Sequence, residues 1–458
     1  MNRVASRAGI AILLALLLIA GIGFFVAEYV MNAADWVMFS GSPHVYSGGN
    51  IGCGSVVDRD GTLLLDMSGD RTYAESAAVR KATIHWLGDR YGNISAPALP
   101  AHAADLAGFD LLNGVYAYGD AEGTAKLSLS AQVQAAALEA MGGKKGTVAV
   151  YNYETGAILC AVTTPNYDPD NVPDVENDSS GKYEGMYLNR FTQCTYIPGS
   201  IFKIVTLAAA LEEFSNAQDL HFTCSGSVEM DGGKITCEKK HGDQTLKEAF
   251  ANSCNCAFAE LALKIGAEKM ERYVASFGIT EPVAFDGIET AEGNYQATGS
   301  AKIDIGWSGV GQFNDQVNPC SFLTFVGAIA GGGKGAQPYL VENVLVGNTR
   351  TYTARTQMGD SVVSQETARV ITEFMRNNVK SKYGDDYFPG LTVCAKTGTA
   401  EVGGDKKPNA MLSGFVADGN YPLAFIVCVE DGGYGAQVCL PIVSQVLKTC
   451  VEVMNGNG

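Results

Sequence analysis

The chain is short of positive charge. Its 49 acidic residues outnumber 32 basic ones, for a formal net charge of −17. That balance argues against nucleic acid or anionic lipid as the main partner and fits solubility in an ionic exterior. Metal-binding patterns are also missing. The five histidines (His44, His85, His102, His221, His241) form no HExxH pair, and there is no paired CxxC. Cys254 and Cys256 are too close in sequence to define a metal centre. No metal and no cofactor is therefore expected. Internal repeats are absent as well, and long apolar runs are absent but for one.

That one run opens the chain. Arg3 and Arg7 precede an uncharged stretch from Gly9 to Ala27. Its residues, at ~1.5 Å each, cover roughly 29 Å, enough to cross a bilayer core. Positive residues before the run hold the N-terminus in the cytoplasm and place everything after it outside. A cleaved signal peptide, with Asn32-Ala33-Ala34 as a weak cleavage site, is the rival, but its apolar region is usually shorter. The expected layout is a cytoplasmic N-terminus (1–8), a single membrane anchor (9–30) and an extracellular or periplasmic remainder.

Twelve cysteines are many for an exported chain. Cys160, Cys394, Cys428 and Cys450 sit singly in apolar surroundings and read as small buried hydrophobes. Cys224 and Cys237 flank a segment with the turn signal Met230-Asp231-Gly232-Gly233. A hairpin there would set the two sulfurs across from each other, so a disulfide is one reading. A zinc site is the rival reading, and the spacing above speaks against it.

At 458 residues the chain suits two or three units. Ser40 to Asn50 reads as a linker. Gly54 to Leu65 reads as strand, turn, strand around Asp58-Arg59-Asp60-Gly61. Residues 31–143 thus hold a linker and a small membrane-proximal module. Ser130 can cap a helix from Ala131 to Met141, closed by Gly142-Gly143. Thr147 to Tyr151 and Ile158 to Val162 form a hairpin about Glu154-Thr155-Gly156. After a long loop, Pro165 to Gly199, helical patterns run from Ile201 to Phe277. Strands follow at Leu391 to Cys394, Leu412 to Ala417 and Leu423 to Val429, then a helix from about Val438 to Val451. Two strands early, three late and helices between predict an α+β domain over 144–458, an antiparallel five-stranded sheet flanked by helices.

Three short motifs carry chemistry. Ser200-Ile201-Phe202-Lys203 opens a helix, where a serine meets a positive field and free N–H groups. Lys203 rises from the same side one turn later. A hydroxyl needs a base beside it, and a lysine serves only when neutral, which burial or a second cation achieves. Ser253-Cys254-Asn255 joins two helical patterns. Its ordinary reading is a cap, but a second hydroxyl can relay a proton and the amide can hold both the lysine and a substrate carbonyl. Lys396-Thr397-Gly398-Thr399 ends an apolar strand, with Gly398 open to close approach. Lys396 is then the second cation beside Lys203. Each motif alone is commonplace; the three in this order are not.

This constellation resembles the penicillin-binding proteins and serine β-lactamases, whose motifs are SxxK, SxN and KTG. Pro198-Gly199-Ser200-Ile201-Phe202-Lys203-Ile204-Val205 is similar to the PGSxFKxxT segment of the larger penicillin-binding proteins. Asp58-Arg59-Asp60-Gly61 is similar to the DRxG turn of their N-terminal module. The resemblance spans roughly 145 to 455, and the single anchor looks like class B, the monofunctional transpeptidases that cross-link peptidoglycan. It implies Ser200 as acylated nucleophile, Lys203 as base, Ser253 as proton relay and Asn255 as holder of the donor amide. It implies Lys396, Thr397, Gly398 and Thr399 around the donor carboxylate, and the N–H groups of Ser200 and Thr399 as oxyanion hole. The implied partners are stem peptides ending in D-Ala-D-Ala, β-lactams as inhibitors and a membrane glycan polymerase. Two departures stand out. Ile201 replaces a small polar residue, and Phe313 replaces the last glycine of a GQG-like loop, Gly309 to Phe313. A D,D-carboxypeptidase or serine β-lactamase shares all three motifs, and a non-catalytic sensor or scaffold keeps the same fold.

Overall fold

A computed structural model describes residues 2–39, 41–112, 114–115, 122–231 and 233–456. Ser40 of the expected linker and Gly232 of the expected turn lie outside the described residues. Helix α1 (Asn2–Val37) includes the expected anchor and continues past it. From Val4 to Val37 it is long and apolar enough to cross a membrane. Leu13, Leu17, Ile19 and Phe24 are exposed, an apolar surface that water would penalise and lipid would not.

The catalytic-size region is built on a five-stranded sheet. Strands β1 (Gly146–Asn152) and β2 (Ile158–Thr164) form the early hairpin; β3 (Val393–Ala400), β4 (Asn409–Val416) and β5 (Leu423–Val429) come late. The order is β3-β4-β5-β1-β2, antiparallel throughout. This is the expected α+β architecture. Every residue of β4 and β5 is buried, because helices cover both faces, and their apolar runs are therefore unbroken.

Helices α2 (Ala131–Met141), α3 (Lys203–Glu213), α4 (Asn255–Ile265), α5 (Gln365–Asn378) and α6 (Gly435–Met454) supply those layers. Helices α2 and α6 cover one face through Val133, Met141, Val443 and Val446 against Val148, Leu412 and Phe425. The expected cap is present: Val133 N donates to Ser130 Oγ, and Gly142 ends α2 in the left-handed conformation at φ 54°. Helix α6 is also apolar along its length, but Cys439, Leu440, Val446 and Leu447 are buried on the sheet, so its hydropathy reflects core packing. Pro319–Ala330 and α5 pack on the other face, and α3 packs against α4 and α5.

A second, six-stranded sheet draws most of its strands from the segment that follows α1 in the chain. Its order is Thr349–Thr353, Val341–Val346, Gly123–Leu127, Ser55–Val57, Leu63–Asp66, Thr72–Tyr73. The expected turn between its Ser55 and Leu63 strands is held by Asp58, whose Oδ1 accepts from Asp60 N and Thr62 N at 2.9 and 2.8 Å. The other oxygen, Oδ2, accepts from Ala131 N at 2.9 Å, so the buried carboxylate fastens this turn to the first turn of α2. Two strands of the sheet come from residues 341–353, beyond position 143. The 31–143 segment is thus completed by a later part of the chain, and the hydrophobic core is continuous between the two regions.

Candidate active site

The three motifs converge at the edge of the large sheet. Gly199–Phe202 forms a tight 3-10 turn that runs straight into α3, so Ser200 stands just before the helix and Lys203 begins it. Gly199 has φ +53°, and a Cβ there would lie 2.6 Å from Thr399 O. Glycine is therefore required for the nucleophile turn to seat against β3. Behind it, Gly199 N donates to Gly311 O at 2.7 Å. Gly311, at φ +89°, would place a Cβ 2.1 Å from Gly199 O. Phe313 keeps a positive φ of 71°. The residue in the glycine's place thus holds a glycine-like backbone, at a strain of about 1–3 kcal/mol. Ile201, the other departure, is fully buried and faces the core.

Lys203 is 0 % exposed and makes four contacts. Its Nζ is 2.7 Å from Ser253 O, 2.7 Å from Asn255 Oδ1, 3.0 Å from Ser200 Oγ and 3.1 Å from Ser253 Oγ. The two shortest partners are carbonyl oxygens, which can only accept. They occupy two N–H bonds of the amine and turn its third tetrahedral direction toward the hydroxyls. A neutral Lys203 thereby presents its lone pair to Ser200. Ser253 adopts φ +51°, an unusual backbone for serine that aims both its carbonyl and its hydroxyl at this amine. Asn255 opens α4, and its Nδ2 donates to Thr236 O at 2.7 Å.

Lys396 approaches from β3. Its Nζ lies 3.0 Å from Ser253 Oγ and 2.9 Å from Thr397 O. The hydroxyl of Ser253 thus sits between two buried amines. Burial, foremost, pushes Lys203 down to about 8 from its ordinary 10.5, against the opposing influence of nearby Cys254, Cys237 and Glu238. Burial and then the charge of Lys203 hold Lys396 well below its ordinary value. Two ammonium groups this close and this buried are not both charged near neutrality.

The KTG residues do not end the strand, as expected, but lie inside β3, which runs on to Ala400. As the sheet's outermost strand, β3 pairs with β4 on one side only. Thr397 N donates outward to Tyr383 OH at 3.1 Å, and the same phenol touches Thr397 Oγ1 at 3.1 Å. Thr399, two residues on, turns its carbonyl to Gly199, so its N–H also faces the cleft rather than β4. Tyr383 was not identified from sequence; it ends a turn after α5 and carries no motif.

Ser200, Ser253, Asn255, Thr397 and Thr399 line a cavity of about 760 Å³ with Trp307, Gln312, Phe313 and Tyr434. The expected hairpin is present between Ser227–Met230 and Gly233–Thr236. Cys224 lies outside it, paired with Gly242 in a separate two-stranded ribbon. Cys224 and Cys237 are free thiols with sulfurs 3.7 Å apart, so the disulfide considered from sequence is not formed: an S–S bond needs ~2.05 Å.

A serine flanked by a buried, depressed lysine, a second serine and a lysine-bearing strand edge defines a serine acyltransferase of the penicillin-binding kind. Residues 146–448 match the penicillin binding protein transpeptidase domain, and the chain belongs to that family. It is 30% identical over 335 residues to the peptidoglycan D,D-transpeptidase PbpA of Mycolicibacterium smegmatis, covering 68% of each chain. Among solved structures it is similar to the D,D-transpeptidase domain of a peptidoglycan glycosyltransferase from Eggerthella lenta, with TM-score 0.76, 26% identity and coverage of 88% and 98%. It is also similar to the penicillin G acyl-enzyme complex of penicillin-binding protein A from M. tuberculosis, with TM-score 0.76, 25% identity and coverage of 87% and 99%.

Proposed function

We propose that the chain is a membrane-tethered serine D,D-transpeptidase that cross-links peptidoglycan stem peptides and is acylated by β-lactams. The observation that carries this reading is the Lys203 amine, fixed by two carbonyls at 2.7 Å with its free direction on Ser200 Oγ at 3.0 Å. Lys203 takes the proton of Ser200 as the hydroxyl attacks the carbonyl of the penultimate D-alanine. The N–H groups of Ser200 and Thr399 receive the developing oxyanion. Lys396, Thr397 and Thr399 hold the terminal carboxylate, with Gly398 keeping the strand edge open. Asn255 holds the donor amide. Ser253, between both amines, passes the proton to the departing D-alanine. An amine of a neighbouring stem peptide then displaces Ser200, and the proton path runs in reverse.

A single pass of α1, with residues 1–8 cytoplasmic and the catalytic region outside, fits the basic residues before the apolar run. A membrane glycan polymerase as partner of that helix fits a chain whose own motifs serve transpeptidation alone. Glu238 and Glu401 also line the cavity and favour a second reading, in which a carboxylate activates water and the acyl group is hydrolysed. Labelling the full chain in detergent with a fluorescent penicillin tests both. Label is expected on wild type and absent from Ser200→Ala. Labelling that survives in Ser200→Ala sinks the nucleophile assignment, and label shed from wild type within minutes favours the hydrolase.

A further inference from the structure

At the border of the catalytic cleft, four ligand-type atoms meet that the mechanism does not use. The sulfurs of Cys224, Cys237 and Cys254 and a ring nitrogen of His241 all lie within 4.8 Å of one another. Cys237 is central, with its sulfur 3.7 Å from those of both Cys224 and Cys254. A tetrahedral ion with metal–sulfur bonds of ~2.3 Å separates its sulfurs by roughly 3.8 Å. Two of the three sulfur–sulfur separations therefore already match an edge of such a tetrahedron. His241 Nδ1 is buried and makes no hydrogen bond. A backbone N–H, that of Cys256, points at Cys237 Sγ at 3.4 Å, the kind of outer contact that supports a metal-bound thiolate. A disulfide between any two of these sulfurs would leave the third thiol and the histidine idle.

We propose that Cys224, Cys237, Cys254 and His241 bind one thiophilic divalent cation of tetrahedral preference, with zinc as the best match. Three thiol protons leave as the metal enters. The ligands come from three places: a strand end (Cys224), the exit of the hairpin with the loop after it (Cys237, His241), and the middle of the Ser253-Cys254-Asn255 motif. Sequence spacing hid the group, because no two of its ligands form a CxxC or HxxxH pair. Its position gives it a task. Cys254 sits between the relay serine, held at positive φ, and Asn255. Cys237 directly follows Thr236, whose carbonyl holds the Asn255 amide. The metal ties together both segments that grip Asn255 and fix Ser253. Cys237 and His241 border the cavity, and all four ligands act as positioning residues, through Ser253 and Asn255.

The test uses the full chain in detergent, purified under nitrogen with reductant, loaded with zinc chloride and dialysed. About one zinc per chain is expected to remain, and cobalt(II) loaded in its place should show thiolate charge transfer and tetrahedral d–d bands. Cys237→Ser should abolish retention. His241→Ala, at a half-buried position where folding is less at stake, should weaken affinity by more than the roughly 10–100-fold that losing an outer partner costs. Zinc absent from wild type overturns the site. So do equal affinities in all three proteins, or a Cys237–Cys254 disulfide in wild type handled this way. Removing zinc with a chelator should slow penicillin acylation severalfold, reversibly. Unchanged acylation would overturn the positioning task. The metal readouts stand independently of the transpeptidase reading; only the acylation readout rests on it.

Discussion

Replacing Lys203 by arginine isolates the base from the charge. Arginine keeps the positive group and its donors but does not release a proton near neutrality. An ordinary lysine is neutral about once in three thousand at pH 7, whereas one titrating near 8 is neutral roughly one time in ten. Burial, which moves Lys203 from 10.5 to about 8, thus raises the competent fraction roughly 300-fold, equivalent to roughly 3 kcal/mol. General base catalysis itself is worth about 10²–10⁴-fold. Lys203→Arg should therefore lose acylation by about two to four orders of magnitude while retaining a folded cleft, checked by thermal melting. The assay is the second-order rate of labelling by fluorescent penicillin as a function of pH. The sign follows from the base being the neutral form. Wild-type acylation should rise as pH increases through about 8 and level off above it, and Lys203→Arg should show no such step. A variant that keeps more than about a tenth of the wild-type rate, or a wild-type rate that falls through this range, would refute the assignment.

Tyr383→Phe removes the phenol that touches both Thr397 N and Thr397 Oγ1 at 3.1 Å. Loss of that partly buried hydrogen bond should cost about 0.5–1.5 kcal/mol in thermal unfolding and weaken β-lactam capture more than it slows acyl transfer. Gly311→Ala would drive a methyl into Gly199 O, at 2.1 Å. It should displace the Ser200 turn, so that acylation falls by at least about a hundredfold even where the protein remains folded; near-normal acylation would show that the loop behind Ser200 yields. Arg190→Ala leaves Glu430 without its 2.8 Å partner, an ion pair whose arginine is 4% exposed. Glu430 keeps Lys145 and the Tyr196 hydroxyl, each 3.1 Å away, so a loss of about 1–3 kcal/mol is expected by denaturant titration, below the cost of a wholly unpaired buried charge.

How far the sequence carried depends on which signals are local. The hairpin of β1 and β2, the Ser130 cap and the Gly142 stop were legible because each is written in a few adjacent residues. The five-stranded sheet followed from counting apolar runs and the helical stretch between them. The site's members were legible as motifs, but their arrangement was not. That Ser253 Oγ lies between two amines depends on a left-handed serine and on β3 passing beside α3, neither of which leaves a pattern. The extent of β3 was misjudged because Lys396, Thr397 and Gly398 read as a polar ending. In the fold, Lys396 is buried by packing from other elements, which extends the strand through them. Tyr383 and the cysteine–histidine group escaped for the same reason: their partners are distant in sequence.

The six-stranded sheet carries one more consequence. Its strand Gly123–Leu127 finds its neighbour, Val341–Val346, only after the nucleophile turn, α4 and most of the intervening helices have been made. If the chain is exported N-terminus first, this early strand must wait, with an unpaired edge, for a segment still to come. Pairing across so long a loop is slow and exposes the chain to wrong partners. Assembly therefore runs backwards relative to synthesis: the tether emerges first, and the sheet that follows it closes late. Once closed, the sheet joins strands contributed from both sides of the active serine, so the early segment and the catalytic region share one core.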